Sequence, residues 1–100
     1  MSKRLPEAPE HLSERGKALW GQIVTQPTSA GRLALLQTGL EALDRADQAK
    51  RQVDAEGLTT TTKTTGAVHV HPLVKVEREN RQLFVRIWDQ LALQFCHATD

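Results

Sequence analysis

The stretch Glu56-Gly57-Leu58-Thr59-Thr60-Thr61-Thr62-Lys63-Thr64-Thr65-Gly66-Ala67-Val68-His69-Val70-His71-Pro72-Leu73 decides the fold. Six of the seven residues from Thr59 to Thr65 are threonine, and β-branching makes such a run a poor helix and a good strand. Gly66 breaks it, and Val68, His69, Val70 and His71 then alternate apolar and polar. Together these predict a short β-hairpin near 58–71 with its turn around Lys63 to Gly66. An isolated hairpin is marginal in water, so it is expected to pack on a helix or pair with a neighbouring subunit.

Outward from this join lie two long helix-forming segments of different kinds. On the N-terminal side Leu33, Leu36, Leu40 and Leu43 step by three, four and three, a heptad-like seam that thins to Ala46, Ala49 and Val53. Thr28 or Ser29 can cap its start and Gly57 its end, which predicts a helix of nearly thirty residues, about 40 Å long. Its other faces carry Glu41, Asp44, Arg45, Asp47, Lys50, Arg51 and Asp54, several at spacings that support an exposed helix. On the C-terminal side Pro72 suits the first position of a helix expected to reach about Cys96. Val76, Leu83, Ile87 and Leu91 mark one stripe, with Asn80 in it, and Phe84, Trp88, Leu91 and Phe95 mark an adjacent one. Both stripes exceed what one partner helix covers, so Phe84, Trp88, Leu91 and Phe95 are expected at an interface between subunits. Asn80 either fixes register there or sits at the stripe's edge.

Upstream, Leu19, Trp20, Ile23 and Val24 recur at helical spacing, predicting a first helix between Leu12 and Thr25 that starts near Ser13 and is ended by Pro27. Pro6 and Pro9 make residues 1–10 a flexible lead-in. The expected architecture is mainly α: one domain over 11–97, three helices of which two are long, a hairpin between the second and third, and a tail at 98–100.

One hundred residues bury only a modest core, and association of copies is a common way to complete one. The formal net charge is +1, so whole-molecule charge announces no polyanionic partner, and any nucleic-acid surface must come from local clustering or repetition in an oligomer. The single cysteine, Cys96, offers no intramolecular disulfide and suits a reducing, intracellular setting. No apolar run approaches the roughly 18 residues of a membrane span, so no membrane association is expected.

The residues point away from catalysis and cofactors. Ser2, Ser13 and Ser29 fall in the lead-in or at helix starts, acids and bases alternate along helices at pairing distance, and no glycine-rich phosphate loop occurs. His69 and His71 share a strand face, and Cys96 and His97 add two candidate ligands, but the usual paired cysteine spacings of zinc sites are missing. For nucleic acid the candidates are Arg15, Lys17, Arg32, Arg45, Lys50, Arg51 and Lys63, against the alternative that such charges simply face solvent. Arg78, Arg81 and Arg86 are expected to pair with Glu77, Glu79 and Asp89 or to rim an interface.

The order Trp20-x-x-Ile23, Leu40-Glu41-Ala42-Leu43-Asp44-Arg45-Ala46-Asp47, Glu56-Gly57, the threonine and glycine segment, and His71-Pro72-Leu73 before a final leucine-bearing helix resembles the small terminase subunits of tailed phages, of the P27-type family. The resemblance runs from about residue 9 to residue 94. It implies a non-catalytic part of a DNA-packaging motor, working in the cytoplasm of an infected bacterial host. Such subunits form homo-oligomeric rings, bind double-stranded viral DNA, and recruit or regulate a large terminase subunit that holds the ATPase and nuclease. Many relatives continue past Leu93 with a Gly-Leu-x-Pro segment and an arginine-containing tail, where this chain has Gln94-Phe95-Cys96-His97 and stops at Asp100. A role housed in that tail, such as docking on the large subunit, is not carried over. Two other classes fit the residues: a dimeric helical protein-interaction module without nucleic acid, and a small dimeric DNA-binding regulator. Sizing and salt-dependent DNA binding separate the three.

Overall fold

The computed structural model describes residues 5–57, 59–61, 66 and 68–91. The order is α1 (Glu14–Ile23), α2 (Ala30–Glu56), β1 (Thr59–Thr61), β2 (Val68–Val70) and α3 (Pro72–Gln90), a mainly helical chain with the hairpin between the second and third helices, as the sequence predicts.

Local chemistry sets the helix ends. The Ser13 side chain accepts from the Gly16 amide to cap α1, and the Ser29 side chain accepts from the Arg32 amide to cap α2. Gly57 closes α2 at φ 96°, where a side chain would be strained, with its amide on the Val53 carbonyl. Pro72 opens α3, where a missing N–H costs nothing. α1 is shorter than the predicted Leu12–Thr25 and stops before Pro27 is reached: Val24 leaves the helical region at φ −87°, ψ 82° and is buried in the core. α3 is helical to Gln90 with Leu91 at its C-cap, while the expected continuation to Cys96 lies outside the described residues. So does the hairpin's turn, apart from Gly66 at φ 72°.

α2 and α3 are antiparallel. Their partners run in opposite order along the two helices, Arg32 with Leu91, Gly39 with Ile87, Asp47 with Arg81 and Glu56 with His71. The predicted seam of α2 is the surface they share: Leu36, Leu40, Leu43, Ala46, Ala49 and Val53 are buried, and Leu33 half-buried. Small residues in its lower half let α3 come close. Leu12, Trp20 and Val24 join Leu36, Leu40, Ile87 and Leu91 in the main core, and each large aliphatic group so buried contributes about 1.5–3 kcal/mol. The chain is engaged earlier than the flexible lead-in predicted, since Trp20 Nε1 donates to the Pro6 carbonyl at 3.0 Å and Ala8 packs on the core. β1 and β2 pair antiparallel in the register Thr59 with Val70 and Thr61 with Val68.

Candidate nucleic-acid and subunit interfaces

Glu41, Asp44 and Asp47 follow one another at i+3 along α2 and so form a stripe on one side of it. The start of α1 docks on that stripe at three successive points. His11 Nε2 meets Glu41 Oε2 at 2.6 Å, the Ser13 amide donates to Asp44 Oδ2 at 2.9 Å with its hydroxyl on Oδ1, and Arg15 Nη1 meets Asp47 Oδ2 at 3.1 Å. Asp47 also receives Arg81 Nη2 from α3 at 3.2 Å, so one carboxylate with its side chain 17% exposed ties all three helices. The Glu41 carboxyl is held below its ordinary value by the Gln37 hydrogen bond first and the His11 bond second. Arg81 is held more firmly protonated, chiefly by its bond to Glu77 and then by Asp47.

Along this stripe an open groove of about 750 Å³ runs between the start of α1 and the exposed side of α2. It brings together Arg15, Arg45, Lys50 and Arg51 of the predicted nucleic-acid residues, with Glu41, Asp44, Asp47 and Asp54 among them. Four cations thus face four carboxylates, and a single copy offers no net positive field there. The pairing is uneven. Arg15 is taken by Asp47, and Lys50 by Asp54 at 2.8 Å, which raises the Lys50 pKa. Arg45 and Arg51 are exposed and have no salt-bridge partner among the described residues.

The remaining candidates scatter. Arg32 Nη2 donates to the Leu91 carbonyl at 3.2 Å, closing the C-terminal end of α3 with a charge that favours such an end. Lys17 is half-buried on α1, away from the groove lining, and Lys63 lies outside the described residues. Of the three α3 arginines, Arg81 pairs with Glu77 at 2.9 Å as expected, but its second partner, Asp47, belongs to α2.

On α3 the two predicted stripes divide. Leu83, Ile87 and Leu91 turn to the core, so Leu91, expected at a subunit interface, is spent inside the subunit at 5% exposure. Phe84 is partly buried against the same core and stacks tilted on Trp88, ring centroids 5.2 Å apart. Trp88 is half-buried and Val85, which the stripes did not single out, is 54% exposed. Phe95 lies outside the described residues. Asn80 does not fix register between helices in the subunit, because its Nδ2 donates to the Val76 carbonyl of its own helix at 2.8 Å.

The histidines separate as well. β2 ends at Val70, so His71 leaves the strand and does not share a face with His69. His71 is 6% exposed and caps α3, its Nδ1 accepting from the Leu73 amide at 3.1 Å, which assigns the ring proton to Nε2, 2.7 Å from Glu56 Oε1. That bond, then one from Gln52, holds the Glu56 carboxyl below its ordinary value. Among the described residues no group of three or more His, Cys, Asp and Glu could hold a metal ion, and no helix is long and apolar enough to cross a membrane.

Compared with models of known protein families, with curated proteins and with solved structures, the chain has no match.

Proposed function

We propose that this chain is a non-catalytic assembling adaptor of the small terminase kind, which binds double-stranded viral DNA as a homo-oligomer and recruits or regulates a large ATPase and nuclease subunit. The observation that carries it is the uncovered apolar surface of α3, where Val85 stands 54% exposed next to the half-buried Phe84 and Trp88 pair. An exposed valine beside a half-buried aromatic pair, rimmed by Gln82, Arg86 and Asp89, suits the centre of a protein contact. Repetition then gives Arg45 and Arg51 their meaning: two groove guanidinium groups without a salt-bridge partner among the described residues are a weak patch in one copy, but a ring multiplies the phosphates neutralised and the counterions released.

The charge balance of the groove favours a second reading, a dimeric interaction module in which α2 is a solvated spacer. Light scattering on the intact protein, followed by duplex binding across a salt series, decides between them. A mass of many copies with binding that steepens with copy number supports the adaptor, and a dimer with no salt-dependent shift supports the module.

A further inference from the structure

β2 is exposed along its whole length. Val68 and Val70 are each 65% exposed, His69 between them is exposed, and β1 lies along one side only. The described helical residues leave the hairpin's second strand uncovered, so none of them supplies the packing that a two-stranded sheet of three-residue strands needs. Edge strands that must stay alone are guarded by charge, proline or a bulge. Val68-His69-Val70 has no Lys, Arg, Asp, Glu or proline, and no Asp or Glu occurs between Glu56 and Glu77. Strand-forming residues on a free edge without repelling charge are a template for another strand.

The triplet also says which strand. Val-His-Val is the same in both directions, so antiparallel pairing of β2 with its own copy is self-complementary: valine meets valine on one face, and His69 meets its counterpart on the other. Such a contact is isologous, one patch meeting itself about a two-fold axis. We propose that a second copy of this chain docks on β2 by antiparallel β2-to-β2 pairing centred on His69, joining two hairpins into one four-stranded sheet. This contact does not rest on the packaging role and uses a different surface from Val85 on α3.

The test exploits the prediction that position 69 opposes itself. His69→Asp places two like charges across the pair and is expected to weaken self-association at least about tenfold by sedimentation or light scattering, with helix content by circular dichroism unchanged. His69→Lys does the same, and mixing the two variants restores association, because Asp then faces Lys. In a Cys96→Ser background, His69→Cys is expected to give a disulfide-linked dimer on mild oxidation, since directly opposed strand residues lie within disulfide reach. Unchanged association in both charge variants, or variants that dissociate without rescue on mixing and without the crosslink, overturns the proposal. Dissociation on His69→Asp in a protein that never binds duplex DNA leaves the strand pairing standing and removes the packaging role. The reverse result, full assembly and DNA binding in His69→Asp, does the opposite.

Discussion

Gly39 sits where α2 packs tightly against Ile87 of α3, and replacing it with alanine tests the helix pair directly. A β-carbon there would lie 2.9 Å from Ile87 Cγ2, closer than carbon atoms tolerate, and 3.4 Å from Ile87 Cβ, about van der Waals contact. Ile87 cannot step aside freely, being 5% exposed, β-branched and held in a helix where one χ1 rotamer dominates. Two effects compete. Alanine is worth about 1 kcal/mol over glycine in a helix interior, while an extra methyl in a packed interface costs about 1–3 kcal/mol. At 2.9 Å the overpacking belongs to the upper part of that range, so Gly39→Ala is expected to destabilise the fold by about 1–2 kcal/mol net. In a domain of this size that lowers Tm by roughly 4–16 °C. Urea unfolding followed by circular dichroism at fixed protein concentration measures it, because association would otherwise shift the midpoint. Ile87→Leu moves the branch away from Cβ and removes Cγ2, so the double variant is expected to recover at least about 0.5 kcal/mol relative to additivity. If Gly39→Ala proves more stable than the wild type, the helices have slack between them and the close approach is wrong.

Asp47→Ala removes bonds to both Arg15 and Arg81, and because both partners keep solvent access the loss is expected to be about 1–2 kcal/mol in the same unfolding assay, with Arg81→Ala costing no more than Asp47→Ala. Acid should weaken the fold through Glu41 and Glu56: with folded values below the ordinary 4.5, both contribute stability that is present above that pH and lost as pH falls through the lowered values. Thermal melts from pH 7 to pH 3 are expected to show a shallower acid limb in Glu41→Gln than in the wild type. Val85→Glu is expected to reduce the mass of the assembly by light scattering while leaving helix content intact, and an unchanged mass would place the subunit interface on another face. Arg45→Gln with Arg51→Gln is expected to lower the slope of log affinity against log salt by about 0.9 for each phosphate no longer neutralised, whereas Arg15→Gln leaves the slope nearly unchanged.

What the sequence made legible was local chemistry. Ser13 at the start of α1, Thr28 or Ser29 as the cap of α2, Gly57 as a stop, Pro72 as a start and the leucine seam of α2 are each decided by a few neighbours along the chain, and the structure has them, with Ser29 as the cap. What it hid depends on partners about thirty residues or more away. Asp44 and Asp47 look like members of a solvated helix face, and only the arrival of Ser13, Arg15 and Arg81 gives them their structural work. The signal was present in a weak form, as acids at 41, 44 and 47 against polar residues at 11, 13 and 15, but nothing in either segment alone names the other. His71 misleads for a different reason: strand alternation through His71 and helix capping by His71 predict the same residue type, and the end of β2 at Val70 is what chooses. Arg32 was legible as a cation and not as a helix closure, since the Leu91 carbonyl it meets comes 59 residues later.

These pairings change how the charge of the chain should be weighed. An arginine spent on Asp47 or on a helix carbonyl is not available to phosphate without breaking a bond that holds the helices together, so Arg15 and Arg32 are poor carriers of DNA affinity. Arg45 and Arg51 have no such bond to break among the described residues. With only these two in the groove free of a carboxylate partner among the described residues, the proposed DNA role requires affinity at physiological salt to scale with the number of copies touching one duplex. Whether duplex DNA binding depends on assembly is therefore the decisive test of that role. A variant that holds the chain to a single copy and still binds duplex DNA with the wild-type salt slope would show that residues other than Arg45 and Arg51 carry the binding.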